Sequence, residues 1–148
     1  NKPLIIRNPL ANRPWQNVLE PLHGYLTLAE ALYHDKSFQG PWNFGPNLGN
    51  NSNVIDVSQK FAKLWSDAAN VETSKNKQNW VEAKSLDLDC SHTEKNLLWK
   101  STLNLDDSLK LTSEAYKLFV EEGKDLEFKT LIENQINYYQ KLQNDRTN

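Results

Sequence analysis

Residues 8–16 are the part of this sequence that most restricts the fold. They hold two prolines and two asparagines, and because proline has no N–H to donate, they predict a loop. The apolar run before them, residues 3–7, predicts a short strand. After the loop, Pro21 suits the first turn of a helix, and apolar residues at helical spacing continue to about His34. The loop is therefore expected to join a strand to a helix and to present cationic and amide side chains there.

Four more helices are predicted along the chain. Asn53 is a predicted cap for a helix over residues 54–67, and the spacing of Ser91 and Glu94 predicts a short capped helix through Leu98. Further strands are predicted at 42–45, 71–73 and 83–89, and further helices over 105–123, ended by Gly123, and 126–142. The pattern predicts an α/β fold, α-rich with a few short strands, with one domain over residues 1–143 and a flexible tail over 144–148.

Composition excludes several classes of protein. With 38% hydrophobic and 24% charged residues among 148, the chain has the make-up of a soluble domain that can bury a core. A net charge of −2 offers no basis for binding nucleic acid or an anionic membrane, and no apolar run reaches the roughly 20 residues of a membrane helix. The single cysteine, Cys90, forms no internal disulfide, which favours a cytoplasmic location.

The lack of methionine and the start at Asn1 favour a piece of a larger protein over a trimmed small one.

Two signatures of nicotinamide-dependent chemistry are absent from the sequence. A cofactor loop needs closely spaced glycines between a strand and a helix, but the five glycines here are scattered. A Tyr-x-x-x-Lys pair would place a phenol and an ammonium on one helix face, and no tyrosine has a lysine four residues later. We therefore expect no catalytic residue, no cofactor-binding residue and no reaction by this chain alone.

The histidines and the cysteine do not predict a metal site. His23, His34 and His92 have no metal-like spacing to one another or to Cys90, and surface or packing roles are expected for them. Cys90 is interpreted as a small buried apolar residue rather than a nucleophile.

Two pairs of carboxylates also receive structural interpretations. Asp87 and Asp89 would share one face of the predicted strand. Asp106 and Asp107 would lie at a helix N-terminus, where negative charge is favoured.

Arg13 and Asn43 have two open interpretations each. A preorganised Arg13 guanidinium could clamp a diphosphate, or it could pair with Glu20 or bond loop carbonyls. Asn43 lies between Trp42 and Phe44 at a predicted strand end. It could meet a ligand there, or it could bond the backbone while both aromatic side chains fill the core.

The order of motifs along the chain resembles CDP-glucose 4,6-dehydratases, a family of extended short-chain dehydrogenase/reductase enzymes. The resemblance begins at Ile6-Arg-Asn-Pro9 and Arg13-Pro-Trp-Gln-Asn-Val-Leu-Glu-Pro-Leu22. It continues through Gly24-Tyr-Leu, Ala29-Glu, Trp42-Asn-Phe-Gly-Pro46, Glu82-Ala83, Leu86-Asp-Leu-Asp-Cys-Ser91, Leu98-Trp99 and the helix of residues 105–116. The sequence departs from the family at Asn17, where histidine is common, and at residues 79–81.

The resemblance implies the C-terminal substrate-binding lobe of an extended Rossmann-type nucleotide-sugar enzyme. In such an enzyme an N-terminal Rossmann domain, absent here, binds NAD and supplies the catalytic groups. The whole enzyme converts CDP-glucose to CDP-4-keto-6-deoxyglucose plus water, for polysaccharide biosynthesis. The nucleotide-sugar contacts carry over to six residues of this chain: Arg13, Asn43, Arg7, Asn8, Trp15 and Glu82.

Two other functions remain open from the sequence. The chain could be the lobe of a related nucleotide-sugar dehydratase or epimerase that takes a different base, or a stand-alone α-rich interaction module. If it is a lobe, its partners are the nucleotide sugar and the missing Rossmann domain. Without that domain, exposed apolar surface is expected to cause self-association.

Overall fold

The computed structural model describes residues 2–47, 52–74, 83–120 and 124–147, and within them it is helix-rich with a few short strands. The strands are β1 (Leu4–Ile6), β2 (Asn12–Arg13), β3 (Ser52–Asn53) and β4 (Val71–Thr73). The helices are α1 (Leu19–His34), α2 (Val54–Trp65), α3 (Ser91–Leu97), α4 (Leu105–Phe119) and α5 (Asp125–Thr147), with a short 3₁₀ turn at Lys36–Phe38. The predicted α/β character is confirmed in this α-rich form.

The strands form two small two-stranded sheets. β1 runs parallel to β4, with Leu4 opposite Val71, and β2 runs antiparallel to β3, with Arg13 opposite Ser52. Isolated strand pairs are marginal in water, so helix packing must support them. α2 packs on α4 and α4 on α5.

The predicted start of α2 explains how the loop of residues 8–16 is held. The side chain of Asn53 accepts a hydrogen bond from Asp56 N at 2.8 Å, which confirms it as the cap of α2. The next free amides of α2 turn to the loop, with Val54 N donating to Ala11 O and Ile55 N to Pro9 O, both at 3.0 Å. The loop is thus seated on the N-terminus of α2 as well as preceding α1.

Two predicted strands, residues 42–45 and 83–89, are absent. In the first, the carbonyls of Asn43 and Phe44 accept from the side chains of Thr93 and Gln16 instead of a neighbouring strand. In the second, only a single bridge joins Ser85 to Asn12. In residues 42–45, side chains thus bond the carbonyl groups that a neighbouring strand would need, and in residues 83–89 the alternation of apolar residues was misleading.

The boundaries of two helices also differ from the sequence prediction. Ser91 lies inside α3, and the residue that caps its backbone amide is Asp89, whose Oδ1 accepts from Ser91 N at 2.9 Å. α5 continues past Leu142 to Thr147, so the predicted tail begins too early: Arg146 Nη1 donates to Ser101 O at 2.6 Å. The predicted end at Gly123 lies outside the described residues.

A small hydrophobic core lies between α1, α4 and α5. Its buried members are Leu103, Leu111 and Tyr139, and Leu19 and Leu142 pack against them. No helix in the described ranges has the length and apolar character needed to cross a bilayer.

Candidate functional site

Arg13 is fixed by the backbone carbonyls around β2. Its Nη1 donates to Asn12 O at 2.7 Å and to Ala83 O at 3.1 Å. Of the structural alternatives for Arg13, carbonyl bonding is confirmed and pairing with Glu20 is wrong, because both carboxyl oxygens of Glu20 bind elsewhere. Two bonds from one nitrogen orient the planar guanidinium group.

The other predicted residues of the loop lie shortly before and after Arg13 in the chain. Arg7 directly follows the carboxyl end of β1, and Asn8 O accepts from Ala11 N in the turn that leads to β2. Trp15 N donates to Arg13 O, and the indole Nε1 of Trp15 donates to Ser52 O at 3.0 Å. The structure therefore brings four of the six predicted residues together on one loop beside β2 and β3.

Asn43 lies on a neighbouring segment. Its side-chain amide donates to Asp89 O at 3.0 Å and its carbonyl accepts from Thr93 Oγ1 at 2.7 Å, so it ties residues 41–46 to α3. The backbone-bonding interpretation of Asn43 is confirmed as a contact. Gln16 connects the two segments, because its Nε2 donates to Phe44 O at 2.8 Å. Glu82, the sixth predicted residue, lies outside the described residues.

An aromatic cavity of about 770 Å³ opens beside the loop. We call it the aromatic groove, defined by Trp15, Phe61, Trp65 and Tyr116, with Gln16 at its edge. The rings of Phe61 and Trp65 lie 6.1 Å apart and are nearly parallel, 26° between planes. Its volume is typical of a pocket for a small molecule. The sequence analysis did not predict it, because its walls come from α2 and α4, which lie far apart in sequence.

A buried polar cluster around Glu20 was also missed. Glu20 is fully buried; its Oε1 accepts from Thr102 N at 2.8 Å and Leu103 N at 2.5 Å, and its Oε2 accepts from Tyr139 OH at 2.7 Å. Burial, together with the hydrogen bond to Glu20, raises the pKa of Tyr139. The sequence did not indicate that Glu20 is buried. A glutamate in the first turn of a helix is common, because its negative charge is favoured at the helix N-terminus.

His23 lies next to this cluster and has a packing role, as predicted. Its Nδ1 accepts from Trp99 Nε1 at 3.0 Å and contacts Gln143 Nε2 at 2.6 Å. Since an indole nitrogen only donates, Nδ1 carries a lone pair and His23 is neutral. Burial lowers the pKa of His23, and the charge of Glu20 opposes that shift.

The remaining titratable residues agree with structural roles. Cys90 is buried, and desolvation raises the pKa of its thiol, which is unsuited to a nucleophile. Asp106 and Asp107 lie in the first turn of α4, as predicted. Asp89 does not share a strand face with Asp87; its bonds to Ser91 lower its pKa. Within residues 2–47, 52–74, 83–120 and 124–147, no group of three metal-ligating side chains could hold an ion.

Comparison with known proteins gives one clear relationship. No protein-family model matches the chain. A curated protein from Salmonella typhimurium (strain LT2), a CDP-glucose 4,6-dehydratase, is 37% identical over 128 residues. That alignment covers 85% of this chain but 35% of the Salmonella protein, so the chain spans about a third of its relative's length. The resemblance seen in the motifs is thereby confirmed: over most of its length, this chain is similar to part of a CDP-glucose 4,6-dehydratase.

Proposed function

We propose that this chain is the nucleotide-sugar-binding, C-terminal portion of a CDP-glucose 4,6-dehydratase and is not catalytic on its own. The observation that carries the proposal is the 37% identity over 85% of the chain to a protein of that name. In the intact enzyme, NAD would be bound by a separate Rossmann domain that also supplies the proton-transfer groups. The role of this chain is to hold the substrate in place. Such positioning lowers the activation free energy of the reaction only when the reacting groups are also present.

The geometry of Arg13 supports a diphosphate contact. Its guanidinium is held by two carbonyls, which reduces the conformational entropy that binding would otherwise cost. The first amides of α2 are already bonded to Ala11 O, Pro9 O and the Asn53 side chain. The grip on phosphate would therefore come from cationic side chains rather than from a helix N-terminus. Arg7 is exposed on the same loop and is the second candidate.

The other predicted residues are assigned supporting contacts. Asn8 and Trp15 shape the loop that presents Arg13, and Asn43 holds the segment to which Gln16 attaches that loop. Glu82 directly precedes Ala83, whose carbonyl anchors Arg13. A contact from Glu82 to the sugar is part of the proposal.

Titration calorimetry of the chain with CDP-, dTDP-, UDP- and GDP-glucose tests the substrate. Weak binding of the cytidine nucleotide with no response to the other three is expected. Preference for another base would instead favour a related dehydratase or epimerase. Absence of any nucleotide response, with stable self-association, would favour the interaction module.

Incubation with CDP-glucose and NAD tests the absence of catalysis. No 4-keto product is expected from the chain alone. Product formed at a rate that scales with the concentration of the purified chain would contradict the proposal.

A further inference from the structure

Gln16 joins the two segments that carry the proposed contacts to the nucleotide sugar. Its Nε2 donates to Phe44 O at 2.8 Å, across 28 positions of the sequence. Gln16 comes three positions after Arg13, and Phe44 directly follows Asn43. The hydrogen bond therefore lies between the loop of Arg13 and the segment of Asn43, and it limits how far the two can move apart.

The link between the two segments is made by a side chain rather than by a sheet. In the described ranges β2 pairs with β3, while the carbonyls of Asn43 and Phe44 accept from side chains. Phe44 itself is fixed, because its ring is buried edge-on to the ring of Trp99, with centroids 5.0 Å apart. The distance between Arg13 and Asn43 therefore depends on the Gln16 side chain.

The same side chain carries a cost to folding. Among the residues that the structure describes, Gln16 Oε1 is buried and has no hydrogen-bond partner. Turning the amide over would place Oε1 against Phe44 O and lose the bond that Nε2 makes. A buried acceptor without a partner costs about as much as one hydrogen bond contributes. Stability alone therefore does not account for a glutamine at this position.

We infer that Gln16 is a positioning residue for the nucleotide sugar and acts through Arg13. Its hydrogen bond to Phe44 O holds the guanidinium of Arg13 at the distance from the Asn43 segment that a bound diphosphate requires. The inference rests on the proposed function, in which Arg13 contacts the diphosphate. Misplacement of a contacting group by about 1 Å strongly reduces its effect, so loss of this bond should weaken binding while the fold remains intact.

Calorimetry with CDP-glucose and urea unfolding, both on the same purified variants, test the inference. Gln16→Met keeps nearly the same side-chain length and removes two groups together, the donor to Phe44 O and the unpartnered acceptor. These two changes have opposite effects on stability, so the urea midpoint should change little. The affinity for CDP-glucose should fall about tenfold. A role confined to folding predicts the reverse, a lower midpoint with the affinity of the folded protein unchanged.

Gln135→Met is the matched control. Gln135 is buried in α5, and its Nε2 donates to Leu111 O of α4 at 2.9 Å. The bond is of the same kind as that of Gln16, from a glutamine amide to a backbone carbonyl, but it joins two helices of the core. This variant should unfold at a lower urea concentration and bind CDP-glucose like the unaltered chain.

A double-mutant cycle tests whether Gln16 acts through Arg13. If it does, Gln16→Met should weaken CDP-glucose binding less in the Arg13→Lys background than in the unaltered chain, because the planar fork that it positions is already lost. Additive losses of affinity would show independent contributions and would overturn the inference.

Other outcomes also decide between the two proposals. If Gln16→Met binds CDP-glucose like the unaltered chain, or loses no more affinity than Gln135→Met, the inference is overturned and the proposed function stands. If Gln16→Met does not fold by circular dichroism, Gln16→Leu takes its place, and failure of both to fold overturns the inference. Preference for dTDP-, UDP- or GDP-glucose that is lost in Gln16→Met would contradict the proposed function and leave the inference standing. Absence of binding to all four nucleotide sugars would overturn both.

Discussion

The phenol of Tyr139 donates a 2.7 Å hydrogen bond to Glu20, a residue 119 positions earlier in the chain. This bond joins the middle of α5 to the first turn of α1 inside the core. Both side chains are nearly or completely shielded from water, 3% exposed for Tyr139 and 0% for Glu20. The contact therefore links the two ends of the sequence through a hydrogen bond that water cannot reach.

Removal of this phenol should destabilise the fold. Tyr139→Phe leaves Glu20 Oε2 buried without its donor, which costs about 1–3 kcal/mol. Urea unfolding should show the midpoint shifted down with an unchanged slope. Tyr138→Phe is the control, because Tyr138 is 44% exposed. Equal stability of the two variants would show that the Glu20 bond contributes nothing.

Acid should weaken the fold through His23. Its pKa lies below the ordinary value of 6.5 because burial disfavours the charged ring. The unfolded chain then binds the proton first, so the stabilisation is complete above about pH 6.5 and declines as the pH falls below that value.

The His23 effect can be separated from general acid denaturation. Unfolding free energies measured from pH 7.5 to 5.5 should decline less for His23→Gln, which keeps an amide acceptor for the Trp99 indole. His34→Gln alters an exposed histidine at the end of α1 and should follow the unaltered chain. Parallel curves for the unaltered chain and His23→Gln would contradict this role.

Gly24 should be intolerant of the smallest side chain. In a helix, alanine is usually better than glycine by about 1 kcal/mol, but a Cβ on Gly24 would lie 2.2 Å from Phe44 Cδ1. The Phe44 ring is held edge-on by Tyr25 and Trp99, with centroids 5.7 and 5.0 Å away. Overpacking at this site costs about 1–3 kcal/mol, so Gly24→Ala should be net destabilising.

A double-mutant cycle checks the cause. Phe44→Leu removes most of the ring, so Gly24→Ala should cost less in that background than in the unaltered chain. Additive losses in thermal unfolding would place the conflict elsewhere in α1.

Substitution of Arg13 should separate binding from folding. Arg13→Lys keeps the charge but loses the planar fork, and we expect CDP-glucose to bind about tenfold more weakly, which corresponds to about 1.4 kcal/mol. The unfolding free energy should change by about 1 kcal/mol or less, since lysine can still reach one of the two carbonyls. Lys95→Gln, an exposed change on α3 far from the Arg13 loop in sequence, is the control and should bind CDP-glucose like the unaltered chain. Unchanged calorimetric affinity in Arg13→Lys would remove Arg13 from the site.

The helices were predictable because their signals are local. Asn53 bonds the amide three residues later and caps α2 as its position indicated. α1 extends to His34 as the spacing of apolar residues indicated. The predicted strand at residues 42–45 was wrong because its backbone bonds depend on Gln16 and Thr93, which no window around Asn43 contains.

The candidate site, like the fold, was predictable only where its residues are neighbours in sequence. The loop that presents Arg13 is continuous in sequence, so its residues could be grouped before any coordinates. The aromatic groove and the Glu20 cluster are assembled from residues far apart in sequence, as in the Trp15–Ser52 and Glu20–Tyr139 bonds, which span 37 and 119 positions. Buried polar pairs of this kind carry no periodic signal.

The backbone of residues 101–103 is hydrogen-bonded to an acidic side chain, Glu20, and to a basic one, Arg146. Glu20 accepts the N–H groups of Thr102 and Leu103, and the guanidinium of Arg146 donates to the carbonyls of Ser101 and Thr102. Each partner polarises the peptide groups in the direction that strengthens the other. A chain shortened by its last turn would lose the guanidinium, weaken the hydrogen bonds at Glu20, and loosen the start of α1 from a distance of more than a hundred residues.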